Sequence, residues 1–202
     1  MPRKKILYIP NVSYHVVSRC IELKPYLNNN EIKHLIEKVI IRTQKKYTFK
    51  FYGYVIMNNH IHLYIGTVIN GEPIYRIVQY FKARVAEDFN RRFQRSGHFW
   101  NERYKCKITE DTDNPFQYCI NLHHYICYNP VKAGLTKHEK EYLFSSHQAY
   151  VTPEFKGTIR NIRIDLHPFL LSLNSSSHER VKKYIELETL YHARITSRHI
   201  RC

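Results

Sequence analysis

The sequence predicts an α+β fold, and three observations point to it. Short runs rich in β-branched and aromatic residues alternate with segments whose apolar residues recur at helical spacing. The paired turn signal Asn58-Asn59 joins two strand-like runs directly, as in an antiparallel hairpin. At 202 residues, 43% of them hydrophobic and 14% aromatic, the chain is long enough and apolar enough to bury a core.

The elements follow in order. Residues 1–10 form a basic lead-in, and residues 12–18 read as a first strand. Asn28, Asn29 and Asn30 supply a turn and an N-cap, after which Ile32, Leu35, Ile36, Val39 and Ile40 mark a helix running into residues 44–46. Strands are predicted over residues 49–57 and 60–65. Gly71, Glu72 and Pro73 open a second helix with the apolar stripe Ile74, Ile77, Val78, Phe81, Val85, Phe89 and Phe93. Its other face carries Arg76, Lys82, Arg84, Arg91, Arg92 and Arg95. Residues 100–109 read as a fourth strand. A third helix is expected from Pro115 to Tyr128, stopped by the Asn129-Pro130 step. The order βαββαβ is the ferredoxin-like arrangement: an antiparallel sheet with helices on one face, here followed by an additional helix. Residues 131–150 read as irregular wrapping chain. We expect one domain over residues 1–150 and a basic, partly helical extension over 151–202. That extension has a short apolar stretch at 167–173 and a capping box of Ser176 and Glu179.

Charge narrows the partner. Lys and Arg number 32 against 17 Asp and Glu, for a net charge of +15. Such an excess suits a polyanion, nucleic acid first and an anionic membrane surface second. No apolar run approaches a membrane span, and the N-terminal residues lack the features of a signal peptide. Cys20, Cys106, Cys119, Cys127 and Cys202 are odd in number and scattered, which reads as reduced thiols in a cytoplasmic protein.

The stretch MNNHIHLY (57–64) carries the first chemical signal. On a strand, His60 and His62 share a face while Ile61 and Leu63 point to the other. Two neutral imidazoles so placed can grip a divalent ion, Mn²⁺ more readily than Mg²⁺, with Zn²⁺ also conceivable; the plain alternative is a pair of surface histidines. The second signal is YICYNPVKAGL (125–135), where Tyr125 and Asn129 lie four apart on one helix face. A tyrosine can attack a phosphodiester, and an asparagine oxygen can add a third metal ligand. Tyr104 is a rival nucleophile. Arg84, Arg91, Arg92, Arg95, Arg103, Lys105 and Lys107 are candidate phosphate contacts. Phe99, Trp100 and Tyr64 are candidate stacking residues for unpaired bases. Arg19 either touches the scissile phosphate or makes a structural ion pair. Residues 182–201 either clamp a hairpin stem or form a basic tail.

Taken together, YHVVSR (14–19), YVIMNNHIHL (54–63), FNRRFQRSGHFWNERY (89–104), YICYNPVKAGL (125–135) and SSHQAY (145–150) resemble, in order, the single-tyrosine HUH (IS200-like) transposases, in particular their branch of REP-associated tyrosine transposases. The resemblance covers roughly residues 8–150. It implies a ferredoxin-like fold and cleavage of single-stranded DNA beside hairpins through a 5′-phosphotyrosine intermediate, with Mg²⁺ or Mn²⁺. It places the metal ligands at His60, His62 and Asn129 and the nucleophile at Tyr125. Where the family usually carries proline, this chain has Asn58. The resemblance admits monomers and homodimers. A non-catalytic nucleic-acid-binding protein of the same fold, and an RNA-acting metal nuclease without a tyrosyl intermediate, are the alternative readings.

Overall fold

The computed structural model describes residues 9–101 and 103–199, leaving Arg201 and Cys202 outside the described residues together with most of the basic lead-in. Four strands form one antiparallel sheet: β1 (Ser13–Arg19), β2 (Lys50–Ile56), β3 (His60–Gly66) and β4 (Lys105–Ile108), in the order β2-β3-β1-β4. This is the ferredoxin-like order. Helices α1 (Asn30–Lys46) and α2 (Ile74–Arg92) supply the two crossovers. The Asn29 side chain accepts from the Glu31 N–H and caps α1, so the asparagine run starts that helix where the sequence placed it.

Alternation along the strands divides the sheet into two faces. Phe51, Tyr54, Leu63 and Ile65 point toward α1 and α2. Tyr54 donates to Glu37 of α1, while Leu63 and Ile65 line a tight apolar space with Ile40 of α1 and Ile77, Val78 and Phe81 of α2. Burial of this layer supplies the main hydrophobic stabilisation, about 1.5–3 kcal/mol for each fully buried large side chain. Phe93, assigned by spacing to the α2 stripe, instead ends the helix and is 37% exposed, because one turn beyond Phe89 the helix has outrun the sheet.

The opposite face carries His15, Val17, Arg19, His60 and His62, and a third long helix, α3 (Pro115–Lys132), lies over part of it. Gly53 permits the approach. A Cβ there would sit 2.8 Å from Ser146 Oγ and 3.3 Å from His123 Nε2 of α3, beside an irregularity in the β2–β3 register. The free edge of β2 is covered: Ile56 N–H donates to the Phe144 carbonyl and Ser146 N–H to the Tyr54 carbonyl.

The expected stop at Asn129-Pro130 is corrected, since α3 continues through Pro130 to Lys132. Proline removes one N–H but does not end a helix already in its last turn. The end is set by Gly134 (φ +68°). Its N–H donates to the Val131 carbonyl while Leu135 N–H reaches back to the Pro130 carbonyl, a Schellman closure. The fourth strand is also shorter than predicted, with Trp100 joined to Cys20 only by an isolated bridge.

Beyond residue 145 the chain forms α4 (Gln148–Val151), a hairpin of β5 (Thr158–Ile159) and β6 (Ile162–Arg163), α5 (Pro168–Leu171) and α6 (Ser177–His199). Ile159, Ile162, Ile164, Leu170 and Tyr184 from this part are buried in the same hydrophobic core as the sheet. Arg160 reaches Glu37 and Tyr54, and Tyr184 on α6 hydrogen-bonds His123 of α3 at 2.7 Å. No helix among the described residues is long and apolar enough to cross a membrane.

Candidate active site

His60 opens β3 directly after the Asn58-Asn59 turn, and His62 follows on the same face. Their ring centroids lie 5.0 Å apart with the planes at 70°. Asn59 fixes the first ring. Its amide nitrogen donates to the Leu23 carbonyl (3.2 Å), which turns its oxygen toward His60 Nδ1 (2.7 Å). Nδ1 then carries the proton, and Nε2 keeps its lone pair. His62 is 3% exposed; its Nδ1 lies 2.8 Å from His15 Nε2, while its Nε2 is buried with no hydrogen-bond partner.

Both imidazoles are held neutral. Burial, followed by the positive charge of Arg19, pushes His60 down to about 4. Burial first, then His15, His60 and Arg19, pushes His62 well below the ordinary histidine range. Among the described residues no carboxylate is one of the groups acting on either ring. A buried imidazole nitrogen without a partner is costly, about 1–3 kcal/mol. A divalent cation facing both rings would satisfy it, so these residues fit a metal ion. Among the described residues no group of three or more His, Cys, Asp or Glu side chains is arranged to hold one; amide, water and substrate oxygens are ligands such an ion accepts.

Tyr125 comes down from α3 onto this pair. Its ring meets His62 edge-on at 5.6 Å and His15 at 6.2 Å, and the residue is 36% exposed. Its neighbours His124 and Ile126 are buried, so the helix presents Tyr125 outward from a fixed side. Asn129, one turn on, donates its amide nitrogen to the Tyr125 carbonyl (2.6 Å), a bond that does not use Oδ1. Tyr104 belongs elsewhere: it packs on the α2 side with Lys82 5.9 Å from its ring, and burial pushes its phenol up to about 12.

The open part of the histidine face is basic. Arg19, at the exposed end of β1, pairs with His60 in the strand register, and among the described residues it makes no ion pair. Lys105 and Lys107 on β4 stand opposite Val17 and His15 and are exposed, as is Arg103. The α2 arginines are not brought to this site. Arg84 pairs with Glu87, Arg91 with Asp88 and Arg92 with Glu31, on the helix across the sheet from the histidines, while Arg95, just beyond the end of α2, lies over the Tyr26 ring at 4.5 Å. The expectation of exposed stacking aromatics is corrected. Phe99, Trp100 and Tyr64 are 1%, 9% and 1% exposed, and the Trp100 indole donates to the Lys82 carbonyl. Sequence reasoning gave His15 no role, although it shares the Arg19 face at a spacing of four along a strand.

A family model described as "Transposase IS200 like" matches residues 8–127, from before β1 to two residues past Tyr125. The chain belongs to the IS200-like transposase family. A search of curated proteins finds no match. Among solved structures, a REP-associated tyrosine transposase bound to a REP hairpin superposes with a TM-score of 0.62 at 16% identity, covering 82% of this chain and 92% of that one. A putative transposase from Deinococcus radiodurans R1 aligns at 16% identity over 53% of this chain and 85% of its own, with a TM-score of 0.40. At this identity the first likeness is one of fold, and it extends beyond the family-model match.

Proposed function

We propose that this IS200-like transposase is a metal-dependent single-stranded DNA endonuclease and strand transferase that works beside DNA hairpins through a 5′-phosphotyrosine. The observation that carries the reading is the placement of Tyr125, whose ring edge meets His62 on the face that also holds His60 and Arg19. The hairpin enters from the structural relative, which is described as bound to one, and from the net charge of +15.

His60 and His62 would hold Mg²⁺ or Mn²⁺ through Nε2, with Asn129 Oδ1 as a third ligand. Such an ion, when bound, polarises the scissile phosphate and neutralises charge that develops on its oxygens. The residues of the chain do the rest. Arg19 and Lys105 bind the phosphodiester, α3 aims the Tyr125 oxygen, and burial of His62 excludes water from one side. The phenol oxygen forms a bond to phosphorus as the bond to the 3′ oxygen breaks. The phenol proton is lost and the leaving 3′ oxygen gains one, giving a free 3′-hydroxyl and a 5′-phosphate on Tyr125. One phosphodiester is exchanged for another, so attack by a 3′-hydroxyl reverses the step and joins strands.

Covalent trapping tests this. The protein is incubated with a single-stranded hairpin oligonucleotide and Mn²⁺, then denatured and run on a gel. A shifted protein–DNA band that disappears in Tyr125→Phe and in Tyr125 wild type with chelator is expected. Tight binding with no covalent band under either metal would mean a binding protein, and cleavage that survives Tyr125→Phe would mean a nuclease without a tyrosyl step.

A further inference from the structure

A third imidazole stands behind the histidine pair. His15 on β1 and His62 on β3 lie nearly parallel, 11° between planes, with centroids 5.1 Å apart and His15 Nε2 2.8 Å from His62 Nδ1. The centroid separation is what the nitrogen–nitrogen distance plus roughly two ring radii requires, so the hydrogen bond runs in the plane of both rings. We propose that His15 is a positioning residue that fixes the tautomer and aim of His62, leaving the His62 Nε2 lone pair directed into the site. The inference rests on the reading of His60 and His62 as metal ligands.

A bond between two neutral imidazoles uses one N–H and one lone pair, so only two arrangements exist. If His15 donated, the His62 proton would sit on Nε2. That atom is buried with no partner, which would make an orphan donor and leave nothing to offer a cation. If His62 Nδ1–H donates, Nε2 is a bare lone pair that an ion completes. The proton His15 must then carry on Nδ1 is cheap, because that nitrogen is not a buried orphan. His60 is held in the same sense by Asn59, so both ring protons are turned away from the common site. A ligand imidazole tied through its far nitrogen is the arrangement by which proteins orient metal-binding histidines, and loss of the tie lowers metal affinity about 10–100-fold. Here the tie is an imidazole, not the carboxylate or carbonyl more often found. It adds no negative charge to a site whose substrate brings its own.

The test separates orientation from space-filling. His15→Phe keeps a ring of similar size and removes the acceptor; His15→Gln returns an acceptor oxygen. Mn²⁺ binding is followed by the electron paramagnetic resonance of the free ion, with the melting temperature of each variant as the check on folding. Affinity should fall about 10–100-fold in His15→Phe and largely recover in His15→Gln. A folded His15→Phe that binds Mn²⁺ as tightly as wild type overturns the inference while leaving the proposed function standing. Wild-type protein that takes up no Mn²⁺ overturns both. Long-range ¹H–¹⁵N correlation on the metal-free wild type reads the tautomer without any substitution. The His62 proton on Nδ1 is expected, and a proton on Nε2 contradicts the assignment.

Discussion

Lowering the pH from 7 to 5 should strip this protein of much of its stability, and the amount follows from its buried histidines. His15, His60 and His167 are each pushed down to about 4, in every case mainly by burial. In the unfolded chain they titrate near 6.5. Between those values the unfolded state binds more protons, so stability is complete above about 6.5 and falls as the pH drops toward 4. At pH 5 His15 and His167 each withdraw about 2 kcal/mol and the more exposed, better solvated His60 less, about 4–5 kcal/mol together, against a total of about 5–15 kcal/mol for an ordinary domain. His62, His123 and His124 are lowered as well and add to the loss. Urea unfolding at pH 7.5, 6.5, 5.5 and 5.0 measures the slope. His167 allows a control away from the proposed metal ligands, because its Nδ1 accepts from Phe169 N–H and its Nε2 faces Ser13 Oγ at 2.9 Å, roles that an amide can fill. His167→Gln should flatten the slope by about 1.4 kcal/mol per pH unit in the steep part of the window, one proton fewer. A stability flat between pH 7 and 5, or a slope unchanged in His167→Gln, would refute the claim that these imidazoles are buried in the neutral form.

Two further outcomes are expected. Gly134→Ala places a side chain at φ +68° in the closure that ends α3, and should cost about 1 kcal/mol, lowering the melting temperature by about 2–4 °C. Lys105→Ala should reduce the salt dependence of single-stranded DNA binding by about 0.7 in the log–log slope, whereas Arg91→Ala, whose guanidinium pairs with Asp88 on the same helix, away from the histidine face, should leave the slope unchanged.

Much of this arrangement is legible in the residues, and the rest fails for identifiable reasons. The asparagine cap of α1, the histidine pair on one strand face and the α2 core stripe as far as Phe89 follow from local periodicity and turn chemistry. The end of α3 does not, because the rule against proline in helices holds for the interior and Gly134 decides the boundary. The fate of Trp100 and Phe99 is set by contacts with α2 and the Cys20 region, which no local pattern reveals. Parity along β3 does foretell the distance of the α2 arginines from the site. Since Leu63 and Ile65 face α1 and α2, His60 and His62 must face away from those two helices. The same parity along β1, run back from Arg19, points to His15. What no residue pattern conveys is that His62 would be left with one buried nitrogen unpaired, since that depends on how closely α3 packs over the sheet.

The proposed function requires a cation held by two imidazoles beside the Tyr125 phenol. Crystals of the protein soaked in Mn²⁺ and measured at an anomalous-scattering wavelength test that directly. One strong peak should lie on the Nε2 atoms of both His60 and His62, within reach of the Tyr125 oxygen. Mn²⁺ bound elsewhere, or a histidine face that stays empty while the ion saturates the protein, would contradict it.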